Sequence, residues 1–143
     1  MDYCLLGYYV TAAQQSRKPA DQGEPMLDKP FVDHFAAQWI AAWNAHDLSR
    51  ILAHYADDFE MSSPYIAQLF SVPSGTLKGK QAVEAYWHKA LERMPTLRFE
   101  LVDTLVGVNS VVLYYRGARG MAAEVFEFNA AGRVTRAAAH YAT

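Results

Sequence analysis

The sequence predicts an α+β domain in which three N-terminal helices pack on an antiparallel sheet. Three observations carry this. Apolar residues recur at helical spacing as far as Met94, four β-rich runs with short connections fill the last third, and 143 residues suit one domain with a real core.

The first helix begins near Pro30, where Val32, Phe35, Trp39 and Trp43 form one stripe and Ala36, Ile40 and Ala41 fill around it. Asn44 to Asp47 breaks the pattern. Asp47 suits the N-cap of a second, short helix carrying Leu48, Ile51, Leu52, Tyr55 and Ala56 on its inner side. Phe59 to Ser63 alternates like a strand, which Pro64 ends because it has no N–H for a ladder. Tyr65 to Gly79 reads as a long loop; it holds Pro73 and Gly75 but also Tyr65, Ile66, Leu69 and Phe70, the composition of a lid or pocket rim. The third helix runs from Lys80 to Met94, with Val83, Tyr86, Trp87, Ala90, Leu91 and Met94 inward and Pro95 as the stop. Strands follow at Leu97 to Val106, Val111 to Arg116, Met121 to Phe128 and Val134 to Tyr141. Connections this short imply an antiparallel meander.

The first 25 residues lie outside this pattern. Cys4 to Val10 is apolar, but Asp2 stands where a signal peptide has basic residues, and Gln14 to Pro25 is polar with Pro19 and Gly23; residues 1–25 read as an N-terminal extension or linker, and 26–143 as the domain. About half the residues are apolar (52%) and the formal charge is −2, spread without blocks, so phosphate-backbone binding is not expected. Lys78 with Lys80 is the nearest thing to a basic patch. The single Cys4 makes no intramolecular disulfide, no apolar run is long enough to span a membrane, and a cytoplasmic protein with no nucleic-acid partner is expected.

Four segments carry a family likeness: Trp43-Asn44-Ala45-His46-Asp47-Leu48; Tyr55-Ala56-Asp57-Asp58-Phe59 with Ser63-Pro64; Gly79-Lys80-Gln81-Ala82-Val83; and Phe126 to Val134. From Phe31 to Ala142 the chain resembles the nuclear transport factor 2-like superfamily, especially its ketosteroid isomerase-like and SnoaL-like branches. The resemblance implies a cone-shaped α+β barrel whose curved sheet wraps an apolar pocket and whose outer sheet face forms a homodimer. None of the four segments is a catalytic signature, because this fold hosts isomerases, cyclases, dehydratases, epoxide hydrolases and members that only bind.

Strand alternation sorts the residues around that pocket. If Glu124 points inward, so do Phe126 and Phe128, while Val125 and Glu127 face out; Ala137, Ala139 and Tyr141 then share one side and Arg136 and His140 the other. The expected ligand-binding residues are Trp39, Trp43, Tyr55, Ser63, Tyr65, Tyr86, Trp87, Tyr115, Phe126 and Tyr141. Glu124, in the apolar run Ala122-Ala123-Glu124-Val125-Phe126, matches the acid that helps hold the oxyanion in ketosteroid isomerases. Desolvation there would raise its pKa, making it a proton or hydrogen-bond donor near neutral pH. The alternative is that Glu124 faces outward, or pairs with an arginine such as Arg98 or Arg116, and serves only as structure.

The rest of the isomerase apparatus differs. Trp39 stands at the position of the oxyanion-binding tyrosine and Ser63 at that of the aspartate base; a serine without a partner base does not abstract a carbon-bound proton. Ala137-Ala138-Ala139 stand where SnoaL-type cyclases place an acid. Asp103, Arg116 and Glu124 do not form an epoxide-hydrolase constellation without violating strand alternation. Glu84 and His88 have metal-chelating spacing but face water, and His54 with Asp57 and Asp58 reads as an exposed turn. No cofactor motif and no clustered metal ligands stand out. The expected function is binding of a small apolar ligand, with Glu124 as acid in an isomerisation or dehydration; the alternative is a non-catalytic dimeric ligand-binding module.

Overall fold

The computed structural model describes residues 27–143, so the readings made for residues 1–25 lie outside the described residues. Four helices and six strands follow in the order α1 (Lys29–Asn44), α2 (Leu48–Leu52), β1 (Tyr55–Ser62), α3 (Pro64–Phe70), β2 (Thr76–Lys78), α4 (Lys80–Arg93), β3 (Glu100–Val106), β4 (Ser110–Gly117), β5 (Gly120–Phe128) and β6 (Val134–Tyr141). The helices pack on one sheet with strand order β2-β1-β6-β5-β4-β3.

The sheet is mixed and open. β3 to β6 form the expected antiparallel meander, but β1 adds beside β6 in parallel and β2 pairs back on β1. Parallel pairing needs a long crossover, and here the chain from α3 to β5 supplies it. Two expected elements also shift. Tyr55 and Ala56 belong to β1 rather than to the second helix, because the backbone at His54 already accepts from the amide of Val134 (2.9 Å) and Tyr55 registers with Val134. The stretch expected as a loop holds α3 and β2: the Ser63 side chain accepts from the amide of Tyr65, and Pro64 opens α3 at the position where its missing N–H costs nothing.

Three of the family-like segments are fold devices. Asn44 donates to the Phe99 carbonyl (3.0 Å) and accepts from the Phe99 amide (2.7 Å), His46 meets the Leu97 carbonyl (2.9 Å), and Asp47 caps α2 through the Arg50 amide (3.2 Å). Together they pin the segment ahead of β3, which therefore starts at Glu100 and not at Leu97. Asn129 accepts from the amides of Ala131 and Arg133 (both 3.0 Å), and closes the β5–β6 turn. Gly79 sits at φ 90 as the N-cap of α4, a conformation that favours glycine.

The core is aromatic. Trp39, fully buried, stacks on Phe99 (centroids 5.6 Å apart, planes 15° apart) and meets Tyr115 and Phe126 edge-on at 5.4 Å each. Phe35 joins α1 to β5 through edge contacts with Phe126 (4.9 Å) and Phe128 (5.0 Å).

The turn that returns the chain from α3 to β2 depends on Gly75, which has φ +65, accepts from the Ser63 amide through its carbonyl oxygen (2.9 Å), and would leave only 3.1 Å between a Cβ and the Ser63 carbonyl oxygen. Gly75→Ala is expected to destabilise the fold by about 1–2 kcal/mol, read from the urea midpoint; an unchanged midpoint would contradict this account of the turn.

Candidate functional site

Between α1, α3, α4 and the inner face of β4–β6 lies a cavity of about 160 Å³. That is close to the ~150 Å³ of a cavity known to hold a single benzene ring and below the ~300 Å³ at which drug-sized pockets begin. Trp39 and Trp43 from α1 and Tyr86 and Trp87 from α4 wall one side, and Tyr115, Glu124 and Tyr141 the sheet side. Gln68, Arg93 and Arg119 line it as exposed residues and so form its mouth.

Glu124 is the buried acid of the cavity. The pattern of β5 turns Ala122, Glu124, Phe126 and Phe128 inward, and Glu124 is 3% exposed. Tyr115, diagonal to it across the β4–β5 pair, donates its hydroxyl to Glu124 Oε1 (3.2 Å). Among the described residues no cation pairs with Glu124; Arg98 and Arg116 are both exposed. Burial therefore pushes its pKa up, to about 7, against the smaller downward pull of the Tyr115 hydroxyl. Burial raises the surrounding phenols too, Tyr86 to about 12 and Tyr55, Tyr115 and Tyr141 well above the ordinary tyrosine value, and the nearby negative charge of Glu124 adds to each. These tyrosines stay protonated, and Tyr115 and Tyr86 donate their hydroxyls to Glu124 and Ser63. Trp43 contributes a buried indole N–H that has no partner among the described residues.

Seven of the ten residues expected to bind ligand line the cavity: Trp39, Trp43, Tyr65, Tyr86, Trp87, Tyr115 and Tyr141. Three do not. Tyr55 lies behind Trp39, accepting its indole N–H (3.0 Å) and packing on Phe59 (4.4 Å) and Trp87 (5.2 Å). Phe126 is sealed between Phe35 and Trp39. Ser63 is buried with its hydroxyl spent on capping α3 and on accepting from the Tyr86 hydroxyl (3.3 Å).

Leu69 also lines the cavity; sequence reasoning missed Met61, Phe99 and the Gly117–Gly120 turn. Leu69 was legible as an apolar residue in the stretch expected to form a rim. The turn had no signal, because its place at the mouth comes from the length of the β4–β5 hairpin. Tyr65 is held at that mouth between Tyr141 (centroids 4.4 Å) and the guanidinium of Arg119 (4.8 Å from the ring centroid).

The other candidates lie elsewhere. His88 pairs with Glu92 (2.8 Å) on the exposed side of α4 and Glu84 is exposed beside it. Asp57 meets Lys80 (3.5 Å), while His54 packs edge-on to Phe35 (5.3 Å) with its pKa lowered chiefly by burial. His140 is exposed on the outer sheet face, the face that also carries Arg136, which pairs with Glu60 (3.1 Å). No helix among the described residues is long and apolar enough to cross a membrane.

A protein of unknown function from Burkholderia thailandensis, itself described as SnoaL-like, is 55% identical in sequence; the match covers 84% of this chain and all of that one, with a TM-score of 0.80. A proposed isomerase of the SnoaL-like family from Agrobacterium tumefaciens aligns at 20% identity over 77% of this chain and 96% of its own, TM-score 0.61. A proposed polyketide cyclase from Sinorhizobium meliloti aligns at 12% identity over 75% and 94%, TM-score 0.62. At those identities the last two bear on fold alone. A comparison with curated proteins gives no match. The SnoaL-like domain model matches residues 36–141, which include α4, every strand and most of α1, and the chain belongs to the SnoaL-like domain family.

Proposed function

We propose that this domain binds a small, largely apolar ligand in the aromatic cavity and that Glu124 is the proton-transferring group of an isomerisation or dehydration. The observation that carries the proposal is one carboxyl group, buried in the cavity wall without a cation, with a pKa near 7. At that value both protonation states are populated at neutral pH, the condition for efficient general acid–base work. Oε1 accepts from Tyr115, and no protein donor is found for the second oxygen among the described residues, so it is free for the ligand.

A single carboxyl group can carry either reaction. As carboxylate, Glu124 takes a proton from a carbon beside a carbonyl, leaving an enolate; as acid, it returns that proton to another carbon, and the double bond has moved. In dehydration the same proton goes to a departing hydroxyl, which leaves as water. The Tyr141 hydroxyl and the Trp43 indole N–H are the donors on hand for the enolate oxygen.

A second reading has its own support. Trp39 and Ser63, at the positions of the isomerase tyrosine and aspartate, are both occupied: Trp39 donates to Tyr55, and Ser63 caps α3. The cavity then serves a non-catalytic binding module, dimeric through the outer sheet face. There Leu105 (57% exposed) and Tyr114 (39% exposed) stand beside the half-buried Val112 and Val125. That face is apolar enough to be covered by a second copy.

Glu124→Gln separates the two readings. The catalytic reading expects turnover of an activated carbonyl substrate to fall by about 10²–10⁴-fold with ligand affinity retained; the binding reading expects no turnover in either protein and the same affinity. Stability gives an independent check. With the folded pKa at about 7 and the ordinary value at 4.5, the unfolded chain loses its proton first, so the wild type should lose stability relative to Glu124→Gln between these values and level off above. The deficit at the plateau should be roughly 3 kcal/mol. Parallel stability curves for the two proteins across this range would contradict the burial of an unpaired acid. For the dimer, Tyr114→Arg should shift the sedimentation coefficient from dimer to monomer; a monomeric wild type would rule the dimer out.

A further inference from the structure

The mouth of the cavity carries positive charge, whereas the titratable group of its interior is the Glu124 carboxyl. Arg93, in the last turn of α4, and Arg119, in the β4–β5 turn, both line the cavity, and neither pairs with a carboxylate among the described residues. Arg119 is nonetheless held in place, its guanidinium lying over the Tyr65 ring at 4.8 Å. A guanidinium stacked on an aromatic ring keeps its edge free for a planar anion. Below this pair the walls are Trp39, Trp43, Trp87, Phe99 and Met61, and the space amounts to about 160 Å³. A ligand that uses all of it has a single ring in the aromatic part and a negative charge at the opening. A cation would meet two guanidinium groups on entry, and a neutral ring would leave both without a role.

From the two unpaired arginines at the mouth of a one-ring aromatic cavity, we infer that the ligand is a monocyclic carboxylate, its ring among the tryptophans and its carboxylate between Arg93 and Arg119. This rests on the reading of the cavity as a ligand site and names the chemistry it selects. Charge-assisted hydrogen bonds from guanidinium to carboxylate are stronger than neutral ones and are made in pairs. They supply affinity at the mouth, where the ring contributes none. The carboxylate end is thereby fixed outward and the opposite end of the ring is directed toward Glu124.

The test is titration of the wild-type protein with benzoate, phenylacetate and cyclohexanecarboxylate and with the three matching amides. Quenching of Trp39, Trp43 and Trp87 fluorescence and calorimetry report binding. At least one carboxylate should bind about tenfold or more tightly than its amide, and high salt should reduce the preference. In Arg93→Gln/Arg119→Gln the carboxylate should fall to the affinity of the amide, while Arg50→Gln, an exposed charge on α2 outside the lining, should keep the preference. An amide binding as tightly as its carboxylate would overturn the inference and leave the apolar cavity reading in place. Saturable binding by none of the six compounds would overturn both.

Discussion

Burying one carboxyl group without a cation conditions everything around the cavity. Glu124 is set in the middle of β5 by the same alternation that turns Phe126 and Phe128 into the core, so it cannot leave for solvent without reversing the strand. Its charge is then opposed by the low polarity of the walls, and the fold answers with one donor, the Tyr115 hydroxyl at 3.2 Å, among phenols whose own ionisation burial suppresses. The result is a site that holds a proton near neutral pH and has no internal base to take it away. This burial costs stability, and the core around it is aromatic and hydrogen-bonded within itself, Trp39 to Tyr55 and Tyr86 to Ser63.

The same economy explains what the family-like segments do. Asn44, His46, Asp47 and Asn129 use their side chains on backbone groups of the ends they tie down, and Gly79 supplies a conformation that other residues avoid. These residues specify where α2, α4 and the hairpins begin and end. They leave the chemistry open, as expected of a fold whose functions are set by a few cavity side chains.

Local signals made much of this legible in the sequence. The helical stripe of Val32, Phe35, Trp39 and Trp43, the Asp47 cap and the alternation of β5 all depend on residues close in the chain, and so did the inward turn of Glu124. The α3 helix was written in Ser63-Pro64, a capping residue followed by proline at the first helical position, but the proline reads equally well as the end of a strand. The parallel union of β1 with β6 was not legible, because it joins residues some 75 positions apart that carry no mark of each other, as the Glu60–Arg136 register shows. For the same reason Tyr55 and Phe126 read as cavity residues: periodicity gives the side of an element that is buried, not how deep in the core the residue lies. Arg93 and Arg119 were invisible as a pair until helix and hairpin brought them to one opening.

The central claim is that Glu124 holds its proton to near neutral pH because it is buried unpaired. Site-specific titration by NMR, with the glutamate side-chain carboxyl carbons labelled and the Glu124 resonance assigned by its loss in Glu124→Gln, measures this directly. The account predicts a midpoint near pH 7. A midpoint at or below the ordinary glutamate value of about 4.5 would mean that the carboxylate is solvated or paired, and would contradict it.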